Sequence, residues 1–192
     1  MEGWNFCSCE AGQGKRKEML LKYSGIPDVH FGDTLENFKP RKGAEEALLA
    51  ATEMAWGNLC WLLIYGGVGN GKTHLAYAVV LEYINQGRGA KFVYCPSVVT
   101  EIRYSSGEKP LKLLQELQAV PLLVMDDFYY STDWEGQRLE EVINQRYMRK
   151  LPLMLTTNKD IATIPKSILS RFREMGKVKL NKAPDFRGTK GG

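Results

Sequence analysis

The sequence predicts an α/β fold in which helices cover both faces of a five-stranded parallel sheet. From residue 59 onward, short apolar runs alternate with longer stretches that repeat apolar residues at helical spacing. That order is typical of parallel strands joined by helices. The strongest runs, such as 59–65 and 122–125, are apolar throughout rather than alternating with polar residues. Strands of this kind are buried on both faces, so helices are expected on both sides of the sheet.

The predicted elements follow in order along the chain. The strands are 59–65, 90–95, 122–126, 153–157 and a weak last strand, 177–180. A helix over 44–56 precedes the first strand, and further helices are predicted over 75–84, 97–103, 111–117 and 134–150, with a short one around 168–169. Gly87 and Gly89 end the helix over 75–84, Pro96 ends the second strand, and Ser97 is the expected N-cap of the helix that follows.

The region before the first strand differs from the rest. Residues 1–42 are rich in glycine and charge, with scattered aromatic residues, and we expect a partly irregular N-terminal extension whose second half packs on the core. Residues 43–192 form the predicted core of the fold. A length of 192 residues agrees with one domain and a short extension.

Composition excludes several classes of protein. Apolar residues make up 44% and charged residues 25%, which argues against a disordered, collagen-like or disulfide-dense chain. The longest apolar stretch, 59–65, is too short to span a bilayer, and no secretory signal is visible, so a cytoplasmic location is expected. A net charge of +4, from 26 basic and 22 acidic residues, permits a local basic surface but does not by itself indicate nucleic acid.

The four cysteines give only a weak metal signal. Cys60 and Cys95 lie in apolar runs, where a free cysteine behaves as a small hydrophobic residue. Cys7 and Cys9 are closer together than the usual zinc-binding pair, and no second pair follows. An ordinary reduced pair is the expectation, and metal binding by these two residues stays an open alternative.

A phosphate-binding loop is the strongest motif in the chain. Residues 66–73 match G-x-x-x-x-G-K-[ST] without a mismatch, between a predicted strand and a predicted helix. Glycines let successive N–H groups point at phosphate oxygens, and the helix adds its N-terminal dipole. A chance match is the alternative, and the strand before and helix after argue against it. The expected nucleotide contacts are Gly67, Val68, Gly69, Asn70, Gly71, Lys72, Thr73 and His74.

Two of these residues have specific expected roles, and a carboxylate joins them. Lys72 would reach the β- and γ-phosphates of ATP, and the hydroxyl of Thr73 would hold Mg²⁺. Asp126 and Asp127 end a buried strand, where a carboxylate beside the phosphate loop typically holds Mg²⁺. We assign that role to Asp126 and the polarisation of the attacking water to Asp127. Capping of the turn after the strand is the alternative for both.

Two more places in the chain offer polar side chains for the reaction itself. The next strand ends in Thr156, Thr157 and Asn158, where a polar side chain would touch the γ-phosphate or the attacking water, although residues of a turn that leaves the strand are also possible. Arg171 follows a short helix and is a candidate for stabilising transition-state charge in a neighbouring subunit. A solvated surface arginine is the simpler alternative.

These segments together resemble the AAA+ ATPases of the DnaC/DnaI helicase-loader group, which also includes the IstB transposition helpers. The resemblance covers about residues 24–187. It rests on 24–27 with Phe31, 66–74, 123–128, 144–147 with 151–158, and 170–172. The phosphate loop is common to many nucleotide-binding proteins, whereas the order and the residue identities of the later segments are more specific to this group.

The resemblance implies a P-loop AAA+ fold of the ASCE type. It implies Lys72 and Thr73 as Walker A residues, Asp126 and Asp127 as Walker B, Asn158 as sensor 1 and Arg171 as arginine finger. It also implies an ATP-controlled oligomer with shared ATP sites, which binds single-stranded DNA and helps to place a replicative helicase. ATP and Mg²⁺ are the expected cofactors.

The chain departs from the family pattern in three places. Asp127 stands where many AAA+ proteins have glutamate, so slow turnover is expected. Only a short segment follows Arg171, so we expect no full C-terminal helical lid, with Arg187 as a weak substitute for a lid residue. About forty residues precede the core, fewer than the N-terminal helicase-binding domain that loaders usually carry.

Contact with DNA is less visible in the sequence than contact with ATP. Arg103, Lys109 and Lys112 flank a broken helical segment, and Tyr104 would be able to stack on a base. A solvated helix face is an equally good interpretation.

Three alternatives to a helicase loader stay open: an IstB-like transposition helper, an ATP-binding switch with little hydrolysis, and a small-molecule kinase. A kinase would need an arginine-rich lid segment, and none is apparent in the sequence.

Overall fold

The computed structural model describes residues 10–186, with side chains from residue 12 onward. Helices α1 (Glu10–Tyr23) and α2 (Glu45–Ala55) precede the first strand. The core continues with β1 (Trp61–Tyr65), α3 (Lys72–Asn85), β2 (Ala90–Tyr94), α4 (Cys95–Tyr104), α5 (Lys109–Ala119), β3 (Leu122–Asp126), α6 (Asp133–Met148), β4 (Leu153–Thr157), α7 (Lys166–Met175) and β5 (Gly176–Leu180). Short 3₁₀ turns lie at Asp28–His30 and Ile161–Thr163.

The five strands form one sheet in the order β2-β3-β4-β1-β5, and all neighbouring pairs are parallel. Successive strand residues point to opposite faces. Leu62 and Ile64 of β1 therefore pack with α2 and α3, while Trp61 and Leu63 pack with α4 to α7. The predicted parallel five-stranded sheet with helices on both faces is confirmed.

The start of α4 corrects one prediction. Ser97 is not the N-cap: α4 begins at Cys95, directly after β2, and Tyr94 is its N-cap residue. Pro96 lies in the first turn of the helix, where its missing N–H has no partner to lose. Pro96 therefore belongs to the first turn of α4 and does not only end the strand.

Helix α1 lies within the region predicted as an extension. Leu20 and Leu21 pack against the core on the side of α3. The apolar residues of α1 are gathered at 19–21 rather than spread along one stripe, so the spacing gave little sign of a helix. The boundary between residues 42 and 43 stays a prediction, and Cys7, Cys9 and Arg187 lie outside the described residues.

The segment after α1 covers the outer edge of the sheet. The N–H of Phe92 in β2 donates to the carbonyl of Ser24 at 2.6 Å. Gly25 has a φ of +77°, and a Cβ there would lie 2.3 Å from the carbonyl oxygen of Phe92. Only glycine combines this backbone conformation with so close an approach. The edge strand β2 is in this way shielded from pairing with another chain.

A buried arginine ties three parts of the core together. Arg146 of α6 is fully buried. Its guanidinium donates to the carbonyls of Leu117 and Val120, both at 2.8 Å, and to those of Pro121 and Pro152. Burial lowers its pKa to about 10. These bonds hold in place the residues that lead into β3 and β4, the strands that end at the candidate site.

Among the described residues, no helix has the length and hydropathy needed to cross a membrane.

Candidate active site

The phosphate loop connects β1 to the first turn of α3. Gly69 and Gly71 have positive φ angles of 68° and 90°, and Gly71 is the N-cap residue of α3. A Cβ on Gly71 would lie 2.8 Å from the ring of Phe38, and one on Gly66 would lie 2.2 Å from the carbonyl oxygen of Asn181. Both backbone conformation and crowding therefore require glycine in this loop.

Lys72 is buried, and its ammonium lies against the loop itself. Its Nζ donates to the carbonyls of Gly66 at 2.9 Å and Gly67 at 2.6 Å, and to Oδ1 of Asn70 at 3.0 Å. These bonds satisfy the three donors of a lysine ammonium group. The charge is thus held beside the loop that would surround a phosphate.

The end of β3 brings a carboxylate to the first turn of α3. Thr73 Oγ1 donates to Asp126 Oδ2 at 3.0 Å, and the hydroxyl of Thr156 donates to Asp126 Oδ1. Burial raises the pKa of Asp126, and the hydrogen bonds from Thr156 and Thr73 act in the opposite direction. Mg²⁺ in nucleotide sites is held by one or two protein oxygens together with phosphates and water. The pair of Thr73 and Asp126 fits that donor set.

No group of three or more histidine, cysteine or acidic side chains in residues 10–186 is arranged to hold a metal ion. A magnesium ion bound mainly through substrate phosphates needs no such cage. Thr73 and Asp126 are protein oxygen donors of the kind that complete the coordination of such an ion.

Asp127 lies next to this pair and is itself held by neighbouring strands. Its Oδ1 accepts from Asn158 Nδ2 at 2.8 Å, and its Oδ2 accepts from the hydroxyl of Tyr94 at 3.4 Å. Its backbone N–H donates to Thr156 Oγ1 at 3.1 Å, and its φ is +52°. Aspartate tolerates this left-handed conformation better than most residues do. The turn after β3 thereby aims the carboxylate along the edge of the sheet.

A single cavity of about 770 Å³ collects these groups. The sequence-predicted residues that line it are Gly69, Asn70, Gly71, Lys72, Thr73, His74, Asp126, Asp127 and Asn158. Gly67 and Val68 belong to the loop but do not line the cavity, and Val68 is exposed.

Thr156, from the predicted polar run at the end of β4, also lines the cavity. Sequence reasoning missed three other lining residues: His30, Asp33 and Tyr94. The ring of His30 stacks on Tyr77 with centroids 4.6 Å apart, and its Nδ1 lies 2.7 Å from Asp33 Oδ2. His74 Nε2 also meets the carbonyl of Thr34 at 2.9 Å. The segment 30–34 therefore forms one wall of the cavity. Its only signal in the sequence is the family resemblance at 24–27 with Phe31, in a stretch without helical or strand periodicity.

Arg171 does not reach the cavity of its own chain. It lies on α7, and its guanidinium carbon is 5.4 Å from the ring centre of Tyr147 on α6. The hydroxyl of Tyr147 bonds to both carboxylate oxygens of Glu174 at 2.9 Å. Cation–π attraction operates at this distance. The arginine is thus held on a surface formed by α6 and α7.

Solved structures share this fold. The DnaC helicase loader aligns with a TM-score of 0.71 and 22% identity over 81% of this chain and all of that one. DnaI aligns with a TM-score of 0.71 and 20% identity, covering 83% and 93% of the two chains. The replication initiator DnaA bound to AMPPCP and single-stranded DNA aligns with a TM-score of 0.65 and 23% identity, over 80% of this chain and 50% of that one. The expected P-loop AAA+ fold is confirmed, and no helix follows β5 among the described residues.

Sequence relatives include initiators and an insertion-sequence protein. The chain is 30% identical over 158 residues to the chromosomal replication initiator protein DnaA of Limosilactobacillus reuteri, covering 77% of this chain and 35% of that protein. It is 29% identical over 152 residues to a putative insertion sequence ATP-binding protein of Sinorhizobium fredii, covering 75% and 50%. The chain thus spans between a third and a half of these relatives. The family model of IstB-like ATP binding proteins matches residues 13–168, and the chain belongs to that family.

Proposed function

We propose that this protein is an ATPase of DNA replication that loads or remodels a replicative helicase on single-stranded DNA. The observation that supports the ATPase part most strongly is the convergence of Lys72, the pair Thr73 and Asp126, and the pair Asp127 and Asn158 on one cavity. Membership of an ATP-binding family and the AAA+ fold support the same proposal.

The proposed reaction is in-line attack of water on the γ-phosphorus of ATP. The bond to the β–γ bridging oxygen breaks, ADP leaves, and the proton of the water passes to Asp127. N–H groups of the loop and the ammonium of Lys72 bind the phosphates, for which Lys72 leaves the carbonyls of Gly66 and Gly67. Thr73 and Asp126 would hold Mg²⁺, which neutralises phosphate charge when bound. Asp127 accepts a hydrogen bond from the attacking water, and Asn158 orients the carboxylate and the water. Catalysis then comes mainly from positioning and charge.

The second part of the proposal is that Arg171 acts on the ATP of a neighbouring subunit. Arg171 lies outside its own cavity, on a surface where Tyr147 holds the guanidinium. An arginine supplied by a second subunit offsets charge on the γ-phosphate in the transition state. Hydrolysis would then depend on self-association, and the rate per subunit would rise with protein concentration.

The third part is a surface for single-stranded DNA next to the ATP site. A groove of about 260 Å³ between α4 and the segment after Asp127 is lined by Tyr104, Tyr129 and Tyr130, and Tyr104 is 77% exposed. Lys159 Nζ lies 4.1 Å from the ring centre of Tyr129. Exposed aromatic rings beside cations suit base stacking. Of the basic residues predicted to contact DNA, Arg103 pairs with Glu135 and Lys112 with Glu108, so the tyrosines are the stronger candidates.

Fluorescence anisotropy with a labelled oligonucleotide tests this surface. We expect Tyr104→Ala and Tyr129→Ala each to weaken single-stranded DNA binding about tenfold, because each removes a stacking ring. Tyr23→Ala is the matched control, since Tyr23 is an exposed tyrosine at the end of α1. Equal affinity of all four proteins would contradict the proposed surface.

An IstB-like transposition helper is the second candidate function. The family match and the insertion-sequence relative favour it, whereas the DnaC and DnaI structures share the fold alone. The ATP chemistry is the same in both, and the partner separates them. Co-purification of the tagged protein with a hexameric helicase supports the loader, and co-purification with a transposase supports the helper.

An ATP-binding switch with little hydrolysis is the remaining alternative. Asp127 has a shorter side chain than glutamate. Its carboxylate accepts hydrogen bonds from Asn158 and Tyr94, one on each oxygen, and these bonds restrict its rotation. ATP binding without phosphate release, with and without single-stranded DNA, would identify a switch. Slow release that stops on Asp127→Asn supports the ATPase instead.

A further inference from the structure

The segment after β5 lies directly on the phosphate loop. Asn181 follows the last residue of β5, and Asn70 lies in the loop; both are about 1% exposed. Their amides form a reciprocal pair: Asn70 Nδ2 donates to the carbonyl of Asn181 at 2.9 Å, and Asn181 Nδ2 donates to the carbonyl of Asn70 at 2.9 Å. Two residues 111 positions apart in the chain are thereby joined at the loop that is expected to bind the ATP phosphates.

Further bonds hold Asn181 in place. Its backbone N–H donates to the carbonyl of Tyr65 at 2.8 Å, at the end of β1. Its Oδ1 accepts from the N–H of Ala183 at 3.1 Å. The side chain of Asn181 is therefore bonded at both ends, and its orientation is set by the sheet and by the segment that follows it.

The loop is held at a second carbonyl in the same way. The N–H of Phe186 donates to the carbonyl of Gly69 at 2.8 Å. A Cβ on Gly69 would lie 1.7 Å from Oδ1 of Asp185, so the segment packs tightly against the loop. The carbonyls of Gly69 and Asn70, which are consecutive, are thus both bonded to residues 181–186.

Because the peptide bond is planar, the hydrogen bonds to the carbonyls of Gly69 and Asn70 also set the direction of the N–H groups that follow them. In a trans peptide, the carbonyl and the following N–H point in opposite directions. Bonds that hold the carbonyls of Gly69 and Asn70 toward residues 181–186 therefore direct the N–H groups of Asn70 and Gly71 away from that segment. Asn70 and Gly71 both line the cavity. These N–H groups are of the kind that bind phosphate oxygens in such loops.

We propose that Asn181 is a positioning residue for nucleotide phosphates. It touches no nucleotide; it holds Asn70 so that the N–H of Gly71 faces the cavity and Oδ1 of Asn70 faces Lys72, whose Nζ lies 3.0 Å away. The inference rests on the proposed ATP binding and adds a residue that no motif in the sequence indicated. Residues 181–186 act on the loop from the side opposite to the phosphates.

Nucleotide affinity measured by isothermal titration calorimetry tests this role. We expect Asn181→Ala to weaken ADP binding about tenfold, the upper end of the effect of one lost hydrogen bond. Adenosine affinity should stay within about twofold of wild type, because adenosine has no phosphate for the loop to bind. In hydrolysis assays the KM for ATP should rise while kcat changes by less than about threefold. Lys182→Ala is the control, since Lys182 is an exposed neighbour.

A merely structural role would give a different pattern. It would lower the thermal unfolding midpoint and weaken ADP and adenosine binding equally, or leave both unchanged, and either result would overturn the inference. Asn181→Leu, which keeps a similar buried volume and lacks both amide bonds, serves if the alanine variant does not fold. Wild-type protein that binds neither ATP nor ADP would instead overturn the proposed function.

Discussion

Asn158 Nδ2 donates a hydrogen bond of 2.8 Å to Asp127 Oδ1, which joins the ends of two neighbouring strands, β4 and β3. Carboxyl ends of parallel strands meet at one edge of the sheet, where ligands of open α/β folds bind. The pair lies in the cavity that also contains Lys72 and Thr73. A carboxylate that is already oriented before substrate arrives needs little reorganisation during the reaction.

Replacing the Asp127 carboxylate should stop hydrolysis and preserve binding. Asp127→Asn keeps the size of the side chain but cannot accept a proton from water, so we expect phosphate release to fall about a hundredfold or more. ATP affinity should change by less than about threefold. Asp133→Asn, an exposed position in the first turn of α6, is the control. Phosphate release at saturating ATP measures the effect, and an unchanged rate would contradict the role of Asp127.

Removing the Lys72 ammonium should act on binding. Lys72→Ala is expected to weaken ATP affinity at least about tenfold, because the proposed role of the ammonium is to pair with the β- and γ-phosphates. Lys22→Ala, at the exposed end of α1, provides the comparison. Calorimetric titration with ATP and with adenosine separates a phosphate effect from general damage. A similar loss for both ligands would argue against direct contact with phosphates.

The Mg²⁺ concentration that hydrolysis requires should depend on the hydroxyl of Thr73. Thr73→Val removes the hydroxyl that meets Asp126, so the Mg²⁺ concentration for half-maximal hydrolysis should rise about tenfold. Thr73→Ser keeps the hydroxyl and should behave like wild type within about threefold. EDTA should abolish hydrolysis in all three proteins, with recovery on added Mg²⁺. Hydrolysis that continues in EDTA would rule out the expected metal.

The buried guanidinium of Arg146 should contribute strongly to stability. Arg146→Met keeps much of the buried volume but leaves the carbonyls of Leu117, Val120, Pro121 and Pro152 without these donors. We expect a loss of about 2–4 kcal/mol in the free energy of unfolding. Arg149→Met, an exposed position at the end of α6, should change it by less than about 0.5 kcal/mol. Urea unfolding compares the two variants.

The fold was predictable where one physical rule dominated. Fully apolar strands and intervening helical spacing gave the parallel sheet, because burial on both faces leaves a clear pattern in sequence. Residue spacing does not predict helix α1, because its apolar residues are clustered. Proline commonly ends a strand, and a strand that ends at Pro96 makes Ser97 the expected N-cap. Pro96 instead occupies the first turn of α4.

The site was predictable only in its parts that carry a motif. The glycine loop and the polar ends of β3 and β4 have recognisable chemistry at fixed places, and the structure brings Lys72, Thr73, Asp126, Asp127 and Asn158 into one cavity. His30 and Asn181 approach the loop from distant parts of the chain and depend on tertiary packing. Single asparagines and histidines occur in many contexts, so the residue type alone does not mark either of these two as part of the site.

Phosphate release per subunit, measured across protein concentrations, tests the central claim of an ATP site shared between subunits most directly. The rate should climb with concentration in wild type and stay flat and low in Arg171→Ala. Mixing Arg171→Ala with Asp127→Asn should restore part of the rate, because some interfaces then combine an intact Asp127 with an intact Arg171. A wild-type rate that is independent of concentration, with no recovery in the mixture, would contradict the shared site.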